Sequence, residues 1–244
     1  MFSSSEASKN FGMSPIKMGL MAVVFLLSGP AGVSAWAAEA GEVVHLSGTL
    51  SAQRPDGAIL VLGPKSEVKP GDVLTTQRDS YAQINFSDGS SMTMRPNTQM
   101  KLEAYQFVKE KPEADSAFFR LLKGGMRTVT GLVGKRGNQD AYRIGTSTAT
   151  IGIRGSTGQA FVCDPSCGGV APGADKLDPG THLQSQDGTF TLQVGDKIQL
   201  VEAGHSGFSD GKNITVRIGD IGGGTIDLRL PQGGGRPPPA GCAK

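Results

Sequence analysis

From residue 43 onward, apolar and polar side chains alternate in short runs broken by glycine-bearing corners, the period-two pattern of half-buried strands. The clearest run is Tyr81-Ala82-Gln83-Ile84-Asn85-Phe86, in which Ala82, Ile84 and Phe86 share one face and Gln83 and Asn85 the other. The corner Ser87-Asp88-Gly89-Ser90 and the run Met92-Thr93-Met94 follow, which predicts a hairpin with one wet face. The same reading predicts strands at 43–46, 59–62, 117–122, 126–130, 149–153, 189–194, 198–201 and 214–218. Asp-Gly turns are expected at 56–57, 88–89, 187–188 and 210–211, and Gly124-Gly125 reads as another tight turn. Residues 116–123 also fit a two-turn amphipathic helix, but the turn signal behind them favours a strand. The expectation is an all-β chain of many short strands, in a sandwich-like or irregular β-helical, solenoid-like stack.

The N-terminus follows a different pattern. Lys9 and Lys17 precede an apolar run, Met18 to Leu27, and small residues then lead to Ala35-Trp36-Ala37. This is the layout of a signal peptide over residues 1–37, and the apolar run is too short for a membrane span, which needs roughly 20 residues. Export to the periplasm, the cell surface or the medium is therefore expected, with no transmembrane segment in the mature chain. The mature chain divides into N-terminal strands (38–70), a central β domain (71–162), a C-terminal β extension with a Gly/Pro-rich loop (163–230) and a disordered tail (231–244).

Composition narrows the possible functions. Of 244 residues, 24 are Lys or Arg and 22 Asp or Glu, a net charge of +2 that gives no electrostatic footprint for nucleic acid. Glycine, at 36 residues, is about twice its usual share of roughly 7%, as a chain with many corners requires. The three cysteines come late, at 163, 167 and 242. In an oxidising compartment Cys163 and Cys167 are expected to form a small disulfide loop, with Cys242 left over. A metal site is the competing reading, and the scattered His45, His182 and His205 supply no second ligand pair for it. No metal and no cofactor are expected.

Gly71-Asp72-Val73-Leu74-Thr75-Thr76, continuing through 82–90 to Arg95-Pro96-Asn97-Thr98, resembles the opening of the FecR domain. Arg143-Ile144-Gly145-Thr146 and Ala149-Thr150-Ile151-Gly152-Ile153-Arg154-Gly155-Ser156 resemble its closing strands, with Ile153 and Ser156 departing from a V-R-G-T element. The resemblance implies an all-β periplasmic module without catalytic residues. The cytoplasmic anti-sigma helices of the iron-uptake regulators have no counterpart here, so their role in transcription is not carried over.

No nucleophile, phosphate or dinucleotide motif emerges: Gly204-His205-Ser206-Gly207 is not a nucleophile elbow, and Gly134-Lys135 is not a P-loop. One imbalance stands out. Between residues 120 and 154 lie Arg120, Lys123, Arg127, Lys135, Arg136, Arg143 and Arg154, against Asp140 alone. Lys135 and Arg136 are expected at an outward hairpin tip within 131–137, and with Arg127 and Arg154 they are the candidate partner-binding residues. The competing reading is a solvated face neutralised by Glu103, Glu110, Glu113 and Asp115. Arg154, between Gly152 and Gly155, either faces a ligand or pairs with a carboxylate at a strand end. The expected function is non-catalytic binding of a protein partner in the cell envelope, for sensing, signalling or scaffolding. An anionic envelope polymer or lipid is a further possible target; a structural or adhesive surface component and a secreted hydrolase are the alternatives.

Overall fold

The computed structural model describes residues 39–224. The leader read at 1–37, the tail read at 231–244 and Cys242 lie outside the described residues. There is no α-helix among the described residues; fifteen strands form one hydrogen-bonded network. They are β1 (Gly41–Ser47), β2 (Leu50–Gln53), β3 (Ile59–Leu62), β4 (Glu67–Val68), β5 (Val73–Thr76), β6 (Tyr81–Phe86), β7 (Ser91–Met94) and β8 (Gln99–Gln106). The rest are β9 (Ser116–Val129), β10 (Tyr142–Gly145), β11 (Thr150–Cys163), β12 (Gly180–Val194), β13 (Lys197–Val201), β14 (His205–Ser209) and β15 (Ile214–Ile218).

Three strands organise the network. β9, β11 and β12 are 14, 14 and 15 residues long, and each changes partners part-way along. The first half of β9 pairs with β8 and β10, its second half with β7 and β11. β11 starts between β10 and the end of β12, then continues between β9 and the start of β12. Each strand bends at a glycine with positive φ: Gly124 (91°), Gly155 (70°) and Gly188 (72°). Only glycine holds that backbone conformation without strain. The bends turn one network into two facing layers, in the manner of sandwiches whose corner strands belong to both sheets. The first sheet runs β3-β2-β5-β8-β9-β10-β11-β12-β13 and the second β4-β1-β6-β7-β9-β11-β12-β14-β15. All pairings are antiparallel except β9 with β10.

The sandwich bears out the all-β expectation and corrects two local ones. Gly124-Gly125 and Asp187-Gly188 are bends inside β9 and β12, not turns between separate strands. Residues 131–137 are not a hairpin tip, because β9 and β10 are parallel and the chain must cross over between them. Residues 116–123 are strand, as the turn signal behind them favours: Ala117, Phe119 and Leu121 point inward together at period two.

Between the layers lies one continuous core. Phe86 of the second sheet meets Phe119 of the first edge-on at 5.2 Å, and Phe119 touches Tyr142 at 5.3 Å. The Tyr142 hydroxyl crosses the core to Thr128 Oγ1 at 2.9 Å, so its one polar atom is satisfied where burial is complete. Phe190, Leu192 and Val201 from the C-terminal strands belong to this core, as do Val43 and Leu50 from the N-terminal ones.

Candidate functional site

The two outer faces of the sandwich differ. That of the second sheet is covered in part, over β9 and β11. After Cys163, which is disulfide-bonded to Cys167, the chain folds back through residues 164–179. Val170, Ala171 and Ala174 pack there on Phe161, together with Ile221, in a second small core. Gly125 makes room: a Cβ there would come within 2.7 Å of the Phe161 ring and 2.9 Å of Val170. Asn97 Nδ2 donates to Gly169 O at 3.1 Å and anchors the loop from the far side. Beneath it lies Arg95, wholly buried, which donates to Gln159 Oε1 and lies over the Phe161 ring at 5.4 Å. The cysteines are bonded to each other, which removes the metal reading for them.

Among the described residues nothing covers the outer face of the first sheet, and the basic run from 120 to 154 divides over and around it. Arg136 turns inward, against the expectation of an exposed tip. Its Nε and Nη2 hold the buried Asp115 carboxylate at 3.0 and 3.3 Å, and it donates to the Lys109 and Val108 carbonyls at 2.7 and 3.0 Å. The guanidinium also lies 4.7 Å from the Phe107 ring centroid. Each of its three nitrogens has an acceptor, and it braces 107–115 against the crossover. Arg154 pairs with Asp140 at 2.9 Å on the surface. Arg127 donates to Gln186 at 3.2 Å. Lys135 is exposed, with its aliphatic stem over Gly155. The four candidates share no hydrogen-bond or ion-pair partner with one another among the described residues.

A different constellation does converge. The register sets Phe118 of β9 beside Arg143 of β10, and Arg143 beside Gly152 of β11, on the outer face. One residue pair along, Arg120 lies beside Gly145 and Gly145 beside Thr150. The guanidinium carbons of Arg120 and Arg143 lie 5.5 and 5.6 Å from the Phe118 ring centroid. Gly145 keeps the floor low, since a Cβ there would press on the Phe118 ring at 3.2 Å. Glu103 accepts from Arg120 at 2.7 Å and pairs with Lys101 at 3.0 Å; the hydrogen bond from Arg120, above all, holds its carboxyl below the ordinary carboxylate range. Arg143 has no ion-pair partner among the described residues. The result is a shallow platform with an aromatic centre and three cations to one carboxylate. Such a surface can accept a carboxylate at Arg143 and an apolar group at Phe118. The alternation around residues 117–121 foretells that Phe118 points away from the core, but not that two arginines from different strands converge on it.

A separate hollow of about 280 Å³ lies beside β14 and β15, lined in part by Lys176, Asp178, His182, Ser206, Arg217 and Asp220. His182 stacks on Phe208 at 4.7 Å, and its Nε2 donates to the Asp178 carbonyl at 2.8 Å. Burial holds its pKa below the usual imidazole value. No hydrogen bond joins Ser206 to His182, so the nucleophile–base contact of a hydrolytic pair is not formed here. Among the described residues no group of three or more His, Cys, Asp or Glu is arranged to hold a metal ion.

The segment from β5 to the disulfide loop, which carries the platform, matches a known family. Residues 72–166 match the family model described as FecR protein. This segment is a FecR domain. It does not close on itself: β1–β4 and β12–β15 extend both of its sheets and share its core. Among solved structures, two of a candidate anti-sigma factor from Parabacteroides distasonis are similar at 11% identity and a TM-score of 0.41, over 60% of this chain and 59% of theirs. The chain thus spans under two thirds of those structures. A cell surface anchoring domain is similar at 21% identity and a TM-score of 0.25, over 25% of this chain and 82% of that one. Comparison with curated proteins gives no match. Among the described residues no helix is long and apolar enough to cross a membrane.

Proposed function

We propose that this chain is a non-catalytic, exported protein of the bacterial cell envelope, in which the FecR domain binds a protein partner through the outer face of the first sheet. The observation that carries this reading is the Phe118 platform on an uncovered face. A solvated outer face is ordinary for an antiparallel sheet. An aromatic ring under two guanidiniums, one of them without a carboxylate among the described residues, and floored by glycine is not what solvation alone requires. The charge fits an acidic segment of a partner protein. The leader pattern at 1–37 and the Cys163–Cys167 disulfide support export, since disulfides persist in oxidising compartments.

The experiment is photo-crosslinking in intact cells, with the crosslinker placed at Thr191 on the bare face or at Asp175 on the covered one. The expected result is a discrete adduct from Thr191 in the envelope fraction, none from Asp175, and loss of the adduct with Arg143→Glu. Equal adducts from both positions, or retention of the unprocessed chain in the cytoplasm, would overturn the reading.

A further inference from the structure

The first sheet ends in two open edges. Among the described residues β3 pairs only with β2, and β13 only with β12. Edges of this kind are usually guarded by proline, bulges or charge, because free N–H and C=O groups recruit further strands. β3 has none of these: it reads Ile-Leu-Val-Leu, is regular along its length, and leaves Ile59 72% and Val61 78% exposed. β13 leaves Ile198 57% and Leu200 53% exposed, and its one lysine, Lys197, is tied back to the Lys212 carbonyl at 2.9 Å.

The two edges match. The register runs unbroken from Ile59 on β3 through Arg120 on β9 to Ile198 on β13, so the exposed apolar side chains of both edges stand on the same outer face. Counting strand directions across the nine strands, with β9–β10 the one parallel step, leaves β3 and β13 running in opposite senses. A second molecule set beside the first in the same orientation therefore brings its β3 antiparallel to β13. With the second copy offset by two residues along the strands, Ile59 falls opposite Leu200 and Val61 opposite Ile198, two cross-strand pairs of the apolar kind that stabilises sheets.

We infer that copies of this chain join head to tail, β3 of one adding to β13 of the next, so that the first sheet continues from molecule to molecule. The contact is heterologous, and a heterologous contact that does not close gives an open array. The inference is independent of partner binding at Phe118, which lies in the middle of the sheet and remains open in the array.

The test uses the full processed chain and two variants, Val61→Lys to block the β3 edge and Leu200→Lys to block the β13 edge, with mass measured by sedimentation over a wide concentration range. The expected wild-type result is a mass that climbs past the dimer with concentration. Each variant alone stays monomeric, because its one good edge meets only a blocked one. Their equimolar mixture forms dimers and nothing larger. Wild type that is monomeric throughout overturns the inference. So does a dimer that survives Leu200→Lys but not Val61→Lys, since that pattern means β3 pairing with itself. If either lysine variant fails to fold by circular dichroism, Val61→Thr and Leu200→Thr take their places, and weaker assembly by each with recovery in the mixture is expected.

Discussion

The carboxylate of Asp88 accepts the backbone amide of Val133, 45 residues further along the chain, at 3.1 Å. Its other oxygen takes the Ser90 amide at 3.0 Å, the Ser90 hydroxyl at 2.6 Å and the Tyr105 hydroxyl at 3.0 Å. One buried side chain thus closes the β6–β7 turn, holds β8 beside it and fixes the start of the crossover to β10. Gly131 lets that crossover come close, since a Cβ there would lie 2.3 Å from the Ser90 nitrogen.

Asp88→Ala leaves the Val133 and Ser90 amides buried without their acceptor. The expected cost is about 3 kcal/mol, read as a lower urea midpoint at an unchanged slope. Asp88→Asn, which keeps one acceptor oxygen, is expected to lose less.

Arg136 and Arg154 belong to the same basic run in the sequence and are expected to behave differently. Arg136→Ala strands the buried Asp115 carboxylate and should cost about 3 kcal/mol. Arg136→Lys recovers only part of this, because one ammonium cannot reproduce the two-pronged hold. Arg154→Ala breaks an exposed pair and should change stability by less than about 0.5 kcal/mol. Chemical denaturation of the three variants decides the matter.

His182 makes stability depend on pH. Its imidazole is held neutral by burial, so the folded pKa lies below the unfolded one near 6.5. As pH falls through that value the unfolded chain takes up a proton that the folded chain refuses, and stability drops until the folded pKa is passed. Lys176, Asp178, Arg217 and Asp220 line the same hollow. The expected outcome is a fall in urea midpoint on acidification below about pH 7 that is missing in His182→Phe, whose ring keeps the contact with Phe208. A wild-type midpoint that is flat across this window contradicts the assignment.

The Cys163–Cys167 disulfide fixes the start of the cover on the second sheet. Closing so short a loop contributes about 2 kcal/mol in the chain-entropy picture. Reduction, or the Cys163→Ser and Cys167→Ser double substitution, is expected to open residues 164–179 to limited proteolysis while the sandwich stays protected. Cleavage mapped by mass spectrometry checks it, and cuts spread evenly through both sheets would contradict it.

The half-buried strands are legible because alternation is a local signal: Ala82, Ile84 and Phe86 declare their face without reference to anything distant. The bends are not. A glycine with positive φ serves a tight turn and a kink inside a long strand equally well, so Gly124 and Gly188 read as the former and are the latter. One signal of the long strands was present: Ala160-Phe161-Val162-Cys163 is apolar without alternation, as befits a strand buried on both faces. The fate of the arginines is decided by what folds against them. Arg136 meets Asp115 and Phe107 across the crossover, whereas Arg143 meets a ring on the neighbouring parallel strand, and no spacing along the chain encodes either. Phe118, the centre of the platform, is readable as outward-facing but not as a site.

β9, β11 and β12 have a mechanical consequence. Because each is a continuous peptide ribbon with one end in either layer, the layers cannot slide apart as independent leaves; tension applied to one is borne by covalent bonds leading into the other. A load arriving at the Phe118 surface is thereby carried along these strands to the disulfide-closed side.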